Sequence, residues 1–347
     1  MSEARPRDDI DPRAMVEERL EALLFDEDES ALDPAWARAQ ALVTELALRP
    51  AKRLRPQLLL SGYRVGGGGD PVPDGFWTFA TGLEVLHTFM LVHDDVADQA
   101  SLRRGGPALH RAMGGGRLGE NLAIVAGDHL FVRAVELLFS APLATAPAAA
   151  SYYLRVCRHT AVGQYLDLDL AERGWAELSP FDALKVAELK TAQYTVAAPL
   201  ACGALLAGAS GVEVRTLQRL GRFAGVAFQL RDDLIGLVGD HRTSGKPGDC
   251  DLRDRKKSFP LLLAYRRATS EERNQIERIG FESGPEDLEA VRNIVRRRGG
   301  ITGTQRAIDR ALGAAQRVLD EGGLPPEQRV ALGELLKRFV SAPVAGP

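Results

Sequence analysis

The chain has 347 residues, of which 45% are hydrophobic and 26% are charged, so it can bury a substantial core and is not disordered overall. Aromatic residues make up only 6%, which favours helices over β-sandwiches or barrels, because strands are rich in aromatic and β-branched residues. A formal net charge of −3 argues against a nucleic-acid-binding protein, which usually contains a basic domain.

The spacing of the cysteines and the distribution of apolar residues predict the cellular compartment of the protein. Cys157, Cys202 and Cys250 have neither metal-ligand nor redox spacing, which predicts reduced thiols and a cytoplasmic protein. The N-terminal sequence MSEARPRDDIDPR lacks the apolar segment of a signal peptide. No run of about 18 apolar residues occurs, so no membrane span is expected.

Taken in chain order, the pattern is almost entirely helical. Residues 1–12 are polar and are predicted to be mobile, and a single all-helical domain is predicted over 13–347, because no linker-like composition divides the chain. Glycines and prolines predict loops at Gly66–Pro71 and Gly239–Asp254, and no strand is predicted. Helices are predicted over Glu17–Phe25, Pro34–Leu48, Phe76–Val96, Asn121–Phe139, Ala149–Leu170, Pro180–Ala207 with a kink at Pro199, Val212–Val238, and from Ser258 onward.

A first aspartate cluster, HDDVAD, ends the apolar helix predicted over Phe76–Val96. Asp94 and Asp98 are one helical turn apart on the same face, and Asp95 lies on a different one. Two stacked carboxylates repel each other unless a cation lies between them, and Mg²⁺ typically takes one or two carboxylates together with substrate phosphates. An N-cap or a surface ion pair is the alternative, but Val85–His93 carries no formal charge when its histidines are neutral.

A second cluster, FQLRDDLIG, repeats this arrangement in another predicted helix. Asp232 and Asp233 correspond to the first two carboxylates, and Gly236 stands where a third would be. The two clusters, in separate predicted helices, therefore suggest acidic walls that face one cavity. An aspartate at position 236 is expected to be tolerated.

Basic residues accompany the two clusters. Taken singly, each is expected to be a solvated surface residue. Together with carboxylates of the Mg²⁺-binding type, they indicate a site for two polyanionic diphosphates, because arginine binds phosphate oxygens through its planar fork and lysine binds them as a point charge. The residues are Lys52, Arg53, Arg55, Arg103, Arg104, Lys190, Lys246, Lys256 and Lys257.

From about Lys52 to Pro260, the sequence resembles the trans-prenyl diphosphate synthase (polyprenyl synthetase) family. The matching stretches occur in the family's order, and nine in that order make coincidence very improbable. The resemblance implies a single large helical bundle around a central cavity, as in isoprenoid synthases. The stretches are KRLRP (52–56), EVLH (84–87), HDDVAD (93–98), LRRG (102–105), GQYLDL (163–168), KTA (190–192), FQLRDDLIG (228–236), GKP (245–247) and DLRDRKKSFP (251–260).

The same resemblance implies roles for individual residues. Asp94 and Asp98 would hold two Mg²⁺ ions and Asp232 a third, and Mn²⁺ could substitute. Lys190 and Lys256 would also act in catalysis. The isopentenyl diphosphate would be bound by Lys52, Arg55, His87 and Arg104. The allylic diphosphate would be bound by Arg103, Lys190, Thr191, Gln229, Lys246 and Lys256.

The implied reaction joins isopentenyl diphosphate head-to-tail to dimethylallyl, geranyl or farnesyl diphosphate, in a homodimer. The chain departs from the family pattern at three places. Pro50 and Ala51 replace the glycines usual before Lys52, Gly236 replaces the last carboxylate of the second cluster, and Arg255 stands where a glycine is usual.

Product length is assigned to residues about one turn before Asp94. Phe89 precedes Asp94 by five residues and Met90 by four, so both can obstruct a tunnel that contains the growing chain. In the family, a single aromatic at the fifth position resembles geranylgeranyl (C20) synthases, and aromatics at both positions resemble farnesyl (C15) synthases. A C20 product is predicted, with C15 as the alternative. The tunnel floor could instead come from residues near Leu130 and Phe131.

Three other functions agree with parts of the sequence. A class I terpene cyclase shares the ionisation step but needs no isopentenyl site, and Lys52, Arg55, His87 and Arg104 argue against it. A di-iron bundle needs two Glu-x-x-His pairs, and only Glu84–His87 is present. A non-catalytic subunit should have lost metal ligands, and Gly236 is the only candidate loss.

Overall fold

The computed structural model confirms the all-helical prediction. It describes residues 10–24, 26–238, 250–280 and 282–341. Within these residues the only strands are a two-residue antiparallel pair, β1 (Leu102–Arg103) and β2 (Gly106–Pro107), in which Leu102 lies opposite Pro107. This short hairpin was not predicted from the sequence.

Packing divides the chain into two compact units. The first contains the described residues up to Leu60 together with Gly68–Ala150, and the second contains Ser61–Gly67 and the described residues from Ser151 onward. The single domain over 13–347 stays a prediction. Of the segment predicted to be mobile, residues 1–9 lie outside the described part of the chain, and the first helix begins at Pro12. No helix among the described residues is both long and apolar enough to cross a membrane.

In the first unit, the helices predicted over Pro34–Leu48 and Phe76–Val96 begin and end within two residues of these bounds, whereas those predicted from Glu17 and Asn121 each begin five residues earlier. Asp33 caps the third helix, because its carboxylate accepts a hydrogen bond from the Ala35 N–H at 2.7 Å, and Pro34 takes the first helical position. Helix α4 (Leu54–Val65) begins in this unit and ends in the second. The other elements are α1 (Pro12–Leu24), α2 (Glu27–Ser30), α3 (Pro34–Leu48), α5 (Asp74–Ala97), α6 (Leu109–Ala112) and α7 (Gly116–Ser140).

Most residues of helix α5 are buried in the core of the first unit, and the first aspartate cluster lies at the C-terminal end of this helix. Phe76, Phe79, Leu83 and Leu86 are fully buried at spacings of three and four residues, which puts them on one helix face. Each such side chain contributes about 1.5–3 kcal/mol through burial. Gly82 allows α7 to pack closely, since a Cβ there would be 3.1 Å from a leucine of α7.

The second unit contains the remaining helices. Of the loop predicted over Gly239–Asp254, residues 239–249 lie outside the described part of the chain, and the rest contains a short helix. The elements are α8 (Ala146–Glu172, which begins in the first unit), a 3₁₀ turn (Trp175–Glu177), α9 (Pro180–Val186), a π-helical segment (Ala187–Ala197), α10 (Ala198–Leu206), α11 (Gly211–Val238), α12 (Cys250–Arg253), α13 (Phe259–Arg267), α14 (Ser270–Arg278), α15 (Pro285–Arg297), α16 (Gly300–Glu321) and α17 (Pro326–Ser341).

The helix predicted over Pro180–Ala207 differs from the prediction in how it is interrupted. Its middle part, Ala187–Ala197, is a π-helix, and the α-helix that contains Pro199 follows directly. The kink at Pro199 stays a prediction. Proline lacks a backbone N–H and its ring clashes with the carbonyl four residues earlier, so a wider helix before Pro199 relieves that clash. π-helical turns often carry functional residues, and this one carries Lys190 and Thr191.

Glycines let the neighbouring helices approach the π-helical segment closely. A Cβ on Gly163 of α8 would be 2.5 Å from the backbone nitrogen of Lys190, and one on Gly225 of α11 would be 2.5 Å from the Cα of Ala192. Any side chain at these two positions would push the segment away. The two glycines therefore determine how near Lys190 lies to α8 and α11.

Candidate active site

The first aspartate cluster lies in the last turn of α5. Asp98 caps the helix, and its backbone N–H donates to the Asp94 carbonyl at 2.8 Å. The Asp94 side chain is half-buried and Asp98 is exposed, whereas Asp95 is fully buried. This confirms that Asp95 lies on a different face from the other two carboxylates.

Asp95 binds Arg103 of the hairpin. Arg103 Nε donates to Asp95 Oδ1 at 2.8 Å, and a second guanidinium nitrogen donates to the same oxygen. Burial lowers the pKa of Arg103, but the hydrogen bond to Asp95 and the charges of Asp95, Asp94 and Asp98 together raise this pKa above its usual value. The charges of three carboxylates thus act on the single guanidinium of Arg103. The predicted binding of diphosphate by Arg103 stays a prediction.

Arg49, the residue after α3, holds the hairpin in place, and sequence reasoning missed it. Its guanidinium donates to the carbonyls of Arg103 at 2.9 Å and Pro107 at 2.8 Å. Gly106 leaves room for this contact, because a Cβ there would be 2.5 Å from the Arg49 Cζ. Arg49 therefore determines the backbone position from which Arg103 and Arg104 extend.

A buried ion pair fixes the loop before α4. Arg53 donates to Glu84 of α5 at 2.9 Å and to the Ala47 carbonyl at 2.5 Å, and both charged side chains are almost fully buried. The backbone of Arg53 has a φ of 44°, a left-handed conformation that costs a non-glycine residue about 1 kcal/mol. The ion pair holds this turn, which carries the exposed Lys52 and the buried Arg55. Arg53 and Glu84 lie in the stretches KRLRP and EVLH, but no sequence pattern indicates that these two side chains are in contact.

His87 lies among several cations. Burial lowers its pKa well below the usual value, and the charges of Arg55, Arg104, Arg103 and Arg53 lower it further. His87 is therefore neutral near pH 7 in the protein alone, and it can donate a hydrogen bond to an anion without carrying a charge of its own.

Arg104 shows the same accumulation of positive charge. Burial lowers its pKa to about 10, and the charges of Arg53, Arg55 and Arg103 contribute in the same direction against the opposing charge of Glu84. Buried cations that repel one another form a favourable site for a polyanion, because a bound diphosphate offsets the repulsion. Of the residues predicted to bind isopentenyl diphosphate, the structure thus brings Arg55, His87 and Arg104 together.

In the second unit, polar contacts join three of the predicted site residues. The Thr191 hydroxyl donates to Gln229 Oε1 at 2.7 Å, and the Gln229 amide donates to Asp233 Oδ1 at 2.9 Å. Lys256 Nζ lies 3.7 Å from the same oxygen of Asp233. Asp233, to which the sequence assigned no role, therefore connects Thr191, Gln229 and Lys256.

The two neighbouring aspartates of α11 differ in environment. Asp233 is buried, and Asp232 is half-buried. Burial raises the pKa of Asp233, and the Asp251 carboxylate raises it further, while Lys256 and the Gln229 amide lower it. Asp232 is the more accessible carboxylate of the two, which supports its predicted role as the metal ligand.

Lys190 binds a different carboxylate. Its ammonium donates to Asp167 of α8 at 2.7 Å, and both side chains are partly buried. Asp167 is part of the GQYLDL stretch but was not assigned a function from the sequence. Lys246, the remaining predicted ligand of the allylic diphosphate, lies outside the described residues.

The space beside Gly236 is filled by a carboxylate from elsewhere in the sequence. A Cβ on Gly236 would be 2.6 Å from the carboxyl carbon of Asp251 and equally close to one of its oxygens. Asp251 is buried, and its carboxylate lies 4.0 Å from Lys256 Nζ. An aspartate at position 236, which the sequence analysis expects to be tolerated, would require the Asp251 carboxylate to move, because its Cβ would overlap with that carboxylate and its charge would repel it.

The two candidate chain-length residues are both half-buried. The ring of Phe89 lies 4.6 Å from the ring of His93 and 5.3 Å from the ring of Phe131 on α7. Leu130, beside Phe131, is buried. The sequence offers Phe89 and the region near Phe131 as alternative residues that end the product tunnel, and the two rings contact each other.

The carboxylates suit Mg²⁺. Among the described residues, no group of three or more His, Cys, Asp or Glu side chains is arranged to hold a metal ion. Mg²⁺ is commonly bound by one or two carboxylates, with water and substrate phosphates completing its octahedral shell. Asp94 and Asp98 are such a pair, so they fit an ion that arrives with a diphosphate.

Comparisons with known proteins identify the family of the chain. A family model described as Polyprenyl synthetase matches residues 37–297. The chain is 34% identical over 241 residues to a short chain isoprenyl diphosphate synthase of Methanothermobacter thermautotrophicus, covering 69% of this chain and 70% of that protein. It is 33% identical over 254 residues to a (2E,6E)-farnesyl diphosphate synthase of Mycobacterium bovis, covering 72% and 68%. A crystal structure of geranylgeranyl pyrophosphate synthase from Corynebacterium glutamicum, complexed with isoprenyl diphosphate and magnesium, has a TM-score of 0.86 and 31% identity, covering 95% and 98%.

The chain therefore belongs to the polyprenyl synthetase family. It is a trans-prenyl diphosphate synthase with the all-helical isoprenoid synthase fold. The family uses a divalent metal, which agrees with the accessible pair Asp94 and Asp98 at the end of α5.

Proposed function

We propose that this protein condenses isopentenyl diphosphate head-to-tail with an allylic diphosphate. The observation that carries the proposal is the buried cation group around Arg104, whose pKa is lowered to about 10 first by burial and then by neighbouring arginines. This group consists of residues other than the carboxylate pair Asp94 and Asp98. Separate anion-binding and metal-binding residues indicate two diphosphates, and a condensation needs two, whereas a class I terpene cyclase ionises only one.

The isopentenyl diphosphate would be held by Lys52, Arg55, His87 and Arg104. Arginine can bind two phosphate oxygens at once through its fork, and neutral His87 adds a hydrogen bond without adding repulsion among the cations. Such contacts exist before and after the chemical step, so they chiefly contribute substrate affinity.

The allylic diphosphate would be held through metal ions on Asp94, Asp98 and Asp232, about three Mg²⁺ in number by the family resemblance, with Mn²⁺ as a substitute. When bound, these ions neutralise the charge that develops on the leaving diphosphate. The protein residues that would bind the same diphosphate are Arg103, Lys190, Thr191, Gln229, Lys246 and Lys256.

The chemical step would begin with heterolysis of the allylic C–O bond, which leaves an allylic cation and a free diphosphate. Lys190 and Lys256 stabilise the negative charge on the leaving group. The isopentenyl double bond then attacks the cation, and the resulting intermediate loses a proton to the departed diphosphate. No side-chain nucleophile is needed.

We propose that the product is geranylgeranyl diphosphate (C20), with farnesyl diphosphate (C15) as the alternative. Phe89 is a rigid aromatic that touches Phe131, so the two rings together can stop a growing chain. Met90 is unbranched and flexible, and it can move aside where an aromatic could not. One aromatic at these two positions, instead of two, favours the longer product.

We also propose that the protein is a homodimer and works in the cytoplasm, with no nucleic-acid partner. Leu118, Leu122, Val125 and Val132 of α7 are 69%, 46%, 60% and 56% exposed, and their spacings of three, four and seven residues place them along one helix face. An apolar stripe of this kind is what a second copy would cover.

The test is incubation with labelled isopentenyl diphosphate and each of dimethylallyl, geranyl and farnesyl diphosphate, followed by chain-length analysis of the products. The proposal expects labelled C20 diphosphate from all three starters. Conversion of an allylic diphosphate into a hydrocarbon or alcohol without isopentenyl diphosphate would show a terpene cyclase instead.

A further inference from the structure

Lys257 follows Lys256 directly but has a different environment. Its side chain is buried, whereas that of Lys256 is 38% exposed. The Lys257 ammonium donates to the carbonyls of Leu170 at 2.8 Å and Ala171 at 2.7 Å, and also to the carbonyl of Arg173. These carbonyls belong to the last turn of α8 and the residue just after it, where no intrahelical N–H is available to them.

The contact depends on the charge of Lys257. The partial negative charge at the C-terminal end of a helix attracts a cation, and three carbonyl oxygens satisfy the three N–H donors of an ammonium group. The ring of Trp175 lies 5.8 Å from the same ammonium and adds a cation–π contribution. Lys257 is therefore anchored in one position on α8.

The backbone around Lys256 is fixed from the other side as well. The Lys256 N–H donates to the Asp251 carbonyl at 2.9 Å, and the Arg255 N–H donates to the Leu252 carbonyl at 3.1 Å, which is a Schellman motif that ends α12. Arg255 takes the left-handed position of this motif with a φ of 54°, and its guanidinium donates to the Glu277 carbonyl at 3.0 Å. An arginine thus takes the left-handed position at which the family usually has a glycine.

Helix α8 also carries Asp167, which binds Lys190 at 2.7 Å. The two lysines that would stabilise the leaving diphosphate are therefore both attached to this helix, Lys190 through Asp167 and Lys256 through its neighbour Lys257. We propose that Lys257 is a positioning residue, whose ammonium at the end of α8 sets the place of Lys256 relative to Lys190. This role rests on the proposed function, in which Lys190 and Lys256 act on one diphosphate.

The test measures binding of inorganic diphosphate in the presence of Mg²⁺ by titration calorimetry, which does not depend on turnover. Lys257→Gln keeps a donor of similar shape but removes the charge. We expect it to weaken diphosphate binding by about five- to tenfold, because it allows the turn to move. In a Lys256→Gln background the same substitution should have no further effect, since Lys257 acts through Lys256. Lys337→Gln, at an exposed lysine of α17, is the matched control and should bind as the wild type does.

An equal effect of Lys257→Gln in both backgrounds, or no effect in either, would overturn the proposal. If Lys257→Gln does not fold, Lys257→Arg takes its place, because it keeps the charge but has a longer, planar head group. It should also weaken diphosphate binding, and this effect should disappear in the Lys256→Gln background. Steady-state kinetics then separate the two proposals. If the wild type fails to condense the two diphosphates, the proposed function is wrong, whereas unchanged diphosphate binding in the Lys257 variants refutes only the positioning role.

Discussion

The carboxylate of Asp251 occupies the space in which a side chain at Gly236 would lie. A Cβ on Gly236 would be 2.6 Å from the carboxyl carbon of Asp251, well inside van der Waals contact. The same carboxylate lies 4.0 Å from Lys256, so the acidic group beside the second aspartate cluster comes from α12 instead of α11. A side chain at position 236 would therefore require the Asp251 carboxylate to move.

This relationship predicts the effect of substituting Gly236. Gly236→Ala should lower the free energy of unfolding by about 1–3 kcal/mol, because the new methyl group overlaps with Asp251. Gly313→Ala is the matched control. Gly313 lies within α16 with only an ordinary contact nearby, so alanine there should raise the free energy of unfolding by about 1 kcal/mol.

Gly236→Asp should be more destabilising than Gly236→Ala, because it adds charge repulsion to the overlap. Replacing Asp251 by glycine in the same protein should restore most of the loss. Urea unfolding of the single and double variants measures both effects. A Gly236→Asp protein as stable as the wild type would contradict this packing.

Asp94 and Asp95 are predicted to have separable roles. Asp94→Ala and Asp98→Ala should lower turnover by several orders of magnitude with little change in Tm, because we propose that these accessible carboxylates hold metal ions. Asp95→Ala should instead lower the free energy of unfolding by about 3 kcal/mol, since it leaves the Arg103 guanidinium partly buried without its carboxylate. Kinetics and thermal unfolding of the three variants check this, and full activity in excess chelator would refute the metal role.

Much of the fold could be predicted from the sequence because the signals are local. The capping of α3 by Asp33, the apolar face of α5 and the shared face of Asp94 and Asp98 all depend on residues within a few turns of one another. The motif order was enough to identify the family, although single motifs were not.

The contacts that position the site residues could not be predicted, because they join distant parts of the chain. The ammonium of Lys257 binds a carbonyl 87 residues away, and Lys190 binds Asp167 23 residues away. The packing of Asp251 beside Gly236 was missed for the same reason, since nothing near Gly236 in the sequence indicates it. A periodic pattern shows which face of a helix is apolar but not which side chain packs against it.

The two diphosphate sites should have different kinetic signatures. Arg55→Ala and His87→Ala should chiefly raise the KM for isopentenyl diphosphate, since they remove contacts present before the chemical step. Lys190→Ala and Lys256→Ala should chiefly lower kcat, because the leaving-group charge that they stabilise grows toward the transition state. Steady-state kinetics with each substrate varied in turn measure this, and one common signature for all four variants would contradict the division.

His87 predicts a specific pH dependence of stability. Burial and the surrounding arginines hold its pKa well below the usual value, whereas in the unfolded chain it is about 6.5. As the pH falls below about 6.5, the unfolded state therefore binds a proton that the folded state does not, and the free energy of unfolding decreases. His87→Asn removes this term. From pH 8 to pH 5, the Tm of the wild type should fall further than the Tm of His87→Asn. If the two plots of Tm against pH were parallel, the pKa of His87 would not be lowered in the folded protein.

Product length should respond to the aromatic contact between α5 and α7. Phe89→Ala should shift products beyond C20, because it removes the rigid ring, and Phe131→Ala should act in the same direction, since its ring lies 5.3 Å from that of Phe89. Met90→Phe should shift products toward C15 by adding a second aromatic. Chromatography of the hydrolysed products measures chain length, and an unchanged distribution in all three variants would place the chain-length determinant elsewhere.

The central claim is that ionisation of an allylic diphosphate is coupled to attack by isopentenyl diphosphate. It is tested most directly by measuring diphosphate release and isopentenyl incorporation together, with farnesyl diphosphate as starter and Mg²⁺ present. We predict one diphosphate released for each isopentenyl unit incorporated, and neither process in chelator or without isopentenyl diphosphate. Diphosphate release at an undiminished rate without isopentenyl diphosphate would contradict the account.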